Sequence, residues 1–431
     1  MVPPSAPDDR YAYSSEPMPI TTASRLRPSL LAWTGALLIF TFGLNIPQIS
    51  LLAMFALFGL AVWQWPTGHR LQVSDAFTGA LLALFLLCFF IPSVYYGFTS
   101  PLEALKDGIM ILLSYGAGLF WGRGMTEGAS GARMPAAMAA GFTVFAALTT
   151  FANPSKAATI INPDRSALNF WSGGNLINGT GLGVYASLGF CLLPLVLLRS
   201  GDRRDSGGGG WSLAALALAA LGFLANLVMQ NRSPYFAVAA SFLVCSAIYL
   251  QRQAGGPGKR SMRLLLRLSP LLLIILILMI RFPDFMTEVL FRRFENQGTD
   301  TGGRTVAWLS VIRDLPSFPF GGKVIDLGGL SYAHNLWMDV AYTSGLLALL
   351  ALLAFHMAHV PFIVSYYRSR PALTETLVVS AIGVSVLMGC IGEPILDASR
   401  LYFGGTCFLL GWLKARAGSA DPSLTSSSTR D

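Results

Sequence analysis

The chain has 431 residues, 53% of them apolar and 12% charged, with a net charge of +8 and a mean hydropathy of +0.57. A soluble domain carries about 25% charged residues, so this composition excludes an ordinary soluble enzyme and points to a lipid bilayer. The positive charge calls for no nucleic acid, because basic loops facing anionic headgroups account for it.

Residues 1–27 are polar and rich in Pro and Ser, with Arg25 and Arg27 ahead of the first apolar run. No short apolar region with a small-residue cleavage site occurs there, so the expectation is a disordered cytoplasmic tail and no cleaved signal. From 28 onward, apolar runs of 15 to 24 residues recur, each long enough to cross a hydrocarbon core of about 30 Å. Short alternating strands, the mark of a membrane barrel, are missing. The expected fold is therefore an all-α polytopic transmembrane bundle. Its spans fall near 29–43, 47–65, 75–95, 104–121, 134–152, 176–198, 211–229, 234–251, 268–282, 335–358, 374–391 and 399–414. These make a transmembrane domain over 28–416, with a large loop at 281–333 carrying short helices, and a cytoplasmic tail at 417–431. All five cysteines lie inside apolar runs, which leaves no disulfide framework and no CxxC site. There is no internal repeat of the kind transporters carry.

Orientation follows from Lys and Arg. With the N-terminus inside, nineteen of the 30 basic residues fall on inner segments, and six of the rest lie in the 281–333 loop. Both termini are thus expected to be cytoplasmic. The loop is longer than a connector needs to be, which marks it as functional. A second outer segment, 153–178, is rich in Asn, Pro, Ser and Gly, with Phe170 and Trp171, as an interfacial loop would be.

The chain has no GxxxxGK[ST], no GxGxxG after a strand, no HExxH and no DxD pair. Nucleotide substrates are disfavoured, and neither a metal nor a cofactor is called for. On the outer face, Arg232 sits in Asn231-Arg232-Ser233-Pro234. In the long loop, Gly302-Gly303-Arg304-Thr305 leads into Val306, Trp308, Leu309 and Ile312 and stops at Pro316. That pattern predicts a short helix with Arg304 in its first turn, where a cation and free amides point the same way. His334-Asn335 then opens the tenth span. Guanidinium forks bind diphosphate bidentately, and a neutral imidazole takes a proton from a hydroxyl. The plainer reading is that both arginines anchor helix ends in headgroups and His334 merely caps a span. Glu393, Asp397 and Arg400 share an outer turn and either bind a sugar or pair with one another; Arg165 is a similar outer candidate. His356 and His359 are spaced i, i+3, but without a nearby Cys or carboxylate they read as interfacial residues. Asp339, at i+5 from His334, is not on the same helical face.

At residues 302–347, GGRTVAWLSVIRDLPSFPFGGKVIDLGGLSYAHNLWMDVAYTSGLL, the sequence resembles the superfamily of O-antigen ligases and Wzy-type polysaccharide polymerases. It shares an Arg before a Trp, a Pro, a Gly turn, a His-Asn pair and a Gly some ten residues on. NRSPY at 231–235 and NLINGTGLGVYASL at 175–188 are similar to further segments of that family. The resemblance implies a multi-pass protein of the cell inner membrane with its site on the periplasmic side. It implies a metal-independent, inverting glycosyltransferase that takes a glycan from undecaprenyl diphosphate. Carried over by position, Arg232 and Arg304 hold the donor diphosphate and His334 serves as base or acceptor orienter. Asn335, Arg165, Trp308, Glu393 and Arg400 become candidate substrate contacts. The implied partners are the lipid-linked donor, a glycan or glycolipid acceptor, membrane lipids, a chain-length regulator and a flippase. The ligase pattern asks for Gly, Thr or Tyr where this chain has Ala348, so the reading leans to a polymerase of repeat units. The alternative is a ligase that transfers glycan to a lipid A core, glycolipid or protein. A transporter or flippase would need charges deep in several spans, and a scaffold would need no Arg-Arg-His set.

Overall fold

Backbone amides in lipid must be satisfied within the protein, and helices do this segment by segment. The structure, a computed structural model, describes residues 23–64, 71–124, 131–153, 166–174, 176–198, 208–229, 231, 233–252 and 303–419. Arg165, Arg232, the span expected at 268–282 and the first part of the long loop lie outside these residues. The helices are α1 (Ala23–Gly43), α2 (Ile49–Trp63), α3 (Val73–Tyr95), α4 (Pro101–Gly124), α5 (Arg133–Phe151), α6 (Gly179–Phe190), α7 (Leu193–Leu198), α8 (Gly208–Val228) and α9 (Ser233–Arg252). After the undescribed segment come α10 (Arg304–Asp314), α11 (Leu336–Arg368), α12 (Leu373–Gly392), α13 (Ile395–Ala398) and α14 (Arg400–Ser419). Six described helical segments are long and apolar enough to cross a membrane, and shorter apolar helices accompany them. The protein is thus a helical membrane protein.

Three local differences from the sequence reading have physical causes. The segment at 153–178, expected as an interfacial loop, contains a small antiparallel ribbon, with β1 (Ser166–Leu168) paired to β2 (Leu176–Asn178). The sixth span breaks between α6 and α7, just ahead of Pro194, which has no amide hydrogen to continue the ladder. Helix α1 starts at Ala23, ahead of the expected 29.

Capping follows the sequence. Asp75 closes a box on the Gln72 amide at 2.9 Å, and Glu103 and Ser100 bond each other's amides at 3.3 and 3.2 Å. Close helix packing relies on small residues, as it must where lipid removes the hydrophobic drive between helices. A Cβ on Gly118 of α4 would lie 2.1 Å from the Phe408 carbonyl of α14, and one on Gly411 would lie 2.3 Å from the Tyr115 carbonyl. These two helices therefore touch backbone to backbone.

Charges gather at the two ends of the bundle. At one end Asp75 meets Arg123 at 2.5 Å and Lys414 at 3.5 Å, while Glu375 meets Arg416 at 3.1 Å. Each pair is buried and mutually compensated, joining helix termini rather than lining a path through the bundle. The other end carries Arg304, His334, Glu393 and Arg400.

Candidate functional site

The site begins with α10. Gly303 precedes it in a left-handed conformation, φ 77°, and the helix ends at Asp314, just before the expected stop at Pro316. Arg304 does occupy its first turn. The buried face of α10 is formed by Ala307 and Val311, whereas Val306, Leu309 and Ile312 are exposed. Ala307 and Val311 join Leu315, Ile325, Leu327, Ala333, Ala341 and Tyr342 in a small core that holds the loop together. The three exposed apolar residues form an outward stripe at helical spacing, suited to lying in an interface.

Helix α11 is not one straight span. Gly345 inside it has φ 86° and ψ −170°, far from helical values. Trp337 Nε1 donates to His356 Nδ1 at 3.1 Å. On a continuous helix these residues would be about 28 Å apart at 1.5 Å per residue, so the chain must fold back at Gly345. The nine residues before Gly345 form a short arm lying against the longer arm that follows. A loop backbone fills the bend: Leu346 N donates to the Pro319 carbonyl at 2.8 Å, Gly322 N to Thr343 O and Lys323 N to Tyr342 O, both at 3.0 Å. A Cβ at Gly345 would sit 2.0 Å from the Pro319 oxygen. This bend is the reason for the Gly eleven residues after His334. It also places His356 and His359 within the bundle rather than at an interface. His356 accepts from Trp337, and His359 meets Tyr115 Oη at 3.2 Å and the Phe355 carbonyl at 2.8 Å.

His334 stands at the start of the short arm with φ 53°, a left-handed conformation uncommon for a residue with a side chain. Asp339 holds it there by accepting from the amides on both sides, Ala333 N at 2.6 Å and Asn335 N at 3.0 Å. Both of these Asp339 contacts are to backbone amides that flank His334. Asn335 caps the arm by accepting from Trp337 N and Met338 N, and its Nδ2 donates to Ile391 O at 3.3 Å. Trp308 Nε1 donates to the Ala333 carbonyl. Asn335 and Trp308 therefore act here as clamps on the His334 turn, with their polar groups engaged by protein.

Arg304 and His334 converge on Glu393. Arg304 Nη2 lies 3.7 Å from one carboxylate oxygen and His334 Nδ1 lies 3.7 Å from the other. The two side chains are thus within about 10 Å of one another, allowing for the width of a carboxylate. The Glu393 side chain is only 3% exposed, against 31% for Arg304 and 20% for His334. A ligand from outside reaches the cation and the imidazole first, with the carboxylate beneath them. His334 Nδ1 and Glu393 Oε2 have no hydrogen-bond partner among the described residues.

Arg400 belongs to a neighbouring cluster and does not pair with Glu393. It donates to Asp107 at 2.6 Å and Thr99 Oγ1 at 3.0 Å, and its guanidinium lies over the Phe90 ring. Lys323, which the sequence reading passed over, lies 4.9 Å from the Phe98 ring and 5.2 Å from that of Tyr332. Tyr332 in turn packs edge-on to His334. No motif announces Lys323; only its place between the Gly321-Gly322 turn and the His-Asn pair hinted at it. Arg232 lies outside the described residues; the preceding Asn231 is buried and donates to Gly179 O at 2.7 Å.

The arrangement offers an accessible cation, an imidazole whose Nδ1 makes no hydrogen bond among the described residues, and a buried carboxylate that faces both. No protein-family model matches the chain, and no curated protein matches it.

Proposed function

We propose that this chain is a metal-independent glycosyltransferase that joins lipid-linked glycan units at the outer face of the cell inner membrane. On this reading it has about twelve spans, both termini in the cytoplasm and its site facing the periplasm. The observation that carries the reading is the convergence of Arg304 and His334 on Glu393 at one end of the bundle. In the reaction, an acceptor sugar hydroxyl attacks the anomeric carbon of the donor. The bond from that carbon to the diphosphate oxygen breaks, and undecaprenyl diphosphate leaves with the electron pair. His334 takes the hydroxyl proton. Arg304, with Arg232, neutralises the diphosphate before and as it leaves, which is most of the catalysis such a leaving group needs. The exposed stripe Val306, Leu309 and Ile312 suits a helix lying among headgroups, where the donor's diphosphate is found.

The product is read as a surface or secreted polysaccharide built from repeat units, with a flippase supplying the donor and a chain-length regulator acting on the product. Ala348, where ligases carry Gly, Thr or Tyr, is buried against the bundle core and supports the polymerase reading. Transfer of finished glycan to a lipid A core, glycolipid or protein is the alternative that the His334, Asn335 and Gly345 pattern keeps open. The test is the surface-polysaccharide profile of a deletion strain carrying the wild type, Arg304→Ala or His334→Ala at equal membrane abundance. Single repeat units left on carrier mean a polymerase, and full-length polymer left on carrier means a ligase. A normal profile from both variants would overturn the assignment.

A further inference from the structure

Among the described residues, the buried Glu393 carboxylate is the acidic group that faces both proposed reacting side chains. Its contacts to Arg304 and His334, at 3.7 Å each, are ion-pair distances but too long for hydrogen bonds. Neither side is fully engaged: Oε2 and His334 Nδ1 both lack a hydrogen-bond partner among the described residues. A carboxylate 3% exposed is costly to leave in that condition. The cost is tolerable if the carboxylate is shared between two partners and then committed to one of them.

We infer that Glu393 is a positioning residue that holds Arg304 as a stand-in anion until donor diphosphate replaces it, and then orients His334. This inference rests on the proposed reaction. An incoming diphosphate offers Arg304 several oxygens and a bidentate pairing that the 3.7 Å contact lacks. Arg304 is 31% exposed and on the first residue of α10, so it turns outward without moving the helix. Glu393 cannot follow. It leads out of α12, and its own amide is tied to the Gly389 carbonyl at 2.9 Å. Once Arg304 has left, Glu393 has His334 as its remaining partner. It accepts a hydrogen bond from Nδ1–H, which fixes the tautomer and presents the Nε2 lone pair to the acceptor hydroxyl. The imidazole is thus set to accept a proton only when a donor is in place, which guards against attack on an empty site. The rigid His334 turn, bracketed by Asp339 and capped by Asn335, supplies the fixed frame that such an exchange needs.

Glu393→Gln separates the two roles, because the amide oxygen still accepts from Nδ1–H while the charge that competes for Arg304 is gone. Undecaprenyl diphosphate binding to the purified full chain in lipid nanodiscs is expected to tighten about fivefold, the worth of releasing a partly exposed ion pair. Polymer made by the variant in the deletion strain is expected to fall about tenfold, because the neutral amide keeps the orientation of His334 but no longer stabilises the imidazolium formed as it takes the proton. In an Arg304→Ala background the same change should leave probe binding unaltered, a coupling that a merely structural carboxylate would not produce. Weaker or unchanged binding in Glu393→Gln, or unchanged polymer output, would overturn the inference. If that happened while Arg304→Ala still weakened binding measurably, the proposed reaction would stand without it. Failure of the wild type to bind the probe would overturn both.

Discussion

Replacing Gly345 with Ala tests whether the bend in α11 builds the site. The backbone there, φ 86° and ψ −170°, lies in a region that is essentially confined to glycine, so a side chain costs about 1–3 kcal/mol in strain. The added Cβ would also meet the Pro319 oxygen at 2.0 Å. That oxygen cannot simply retreat, because it accepts the Leu346 amide at 2.8 Å; separating them costs roughly another 1 kcal/mol. At about 1.4 kcal/mol per tenfold, the two effects lower the equilibrium constant for the correctly folded bend by at least tenfold, and the clash displaces the 319–323 backbone that frames His334. The assay is polymer output against membrane abundance, with Val306→Ala on the outward face of α10 as a control. Output should fall tenfold or more per unit of protein in Gly345→Ala and stay within twofold in the control. If Gly345→Ala matched the wild type, the bend would not be needed to place His334.

Two further outcomes follow from the contacts around this frame. Asp339→Asn replaces one of the two oxygens that hold the amides beside His334 with an NH2 group, which leaves a buried donor facing a donor at a cost of about 1–3 kcal/mol; transfer activity should drop at least fivefold with little loss of protein, and an unchanged activity would show that the bracket is dispensable. Gly118→Leu drives a side chain into the Phe408 carbonyl of α14 and should reduce the membrane abundance of the chain severalfold, measured by immunoblot; normal abundance would mean that α4 and α14 are not in backbone contact.

Much of the bundle was legible because apolar runs record their own length. α3, α5, α9 and α12 match their expected spans to within a few residues. The nearness of Arg304 and His334 was also legible, since both belong to one long polar stretch between apolar runs. The fold-back at Gly345 was not, because a lone glycine in an apolar helix is ordinary and its reason here is tertiary: the backbone of 319–323 packs into the bend. The buried face of α10 was not legible for a related cause. Small Ala307 and Val311 face the loop core with Trp308 packed beside them, while Val306, Leu309 and Ile312 face outward. Glu393 and Arg400 read as one polar turn, yet they point to different partners. Seven residues with α13 between them suffice to send one to His334 and the other to Asp107.

The most direct test of the account is transfer by the purified chain in lipid nanodiscs, using radiolabelled lipid-linked repeat units extracted from the deletion strain. The wild type should convert them to polymer, or move them to an added glycolipid acceptor, and release undecaprenyl diphosphate. Arg304→Ala and His334→Ala should each slow that release by about a hundredfold or more. Release by the two variants at the wild-type rate would contradict the site, and no release by the wild type would contradict the reaction.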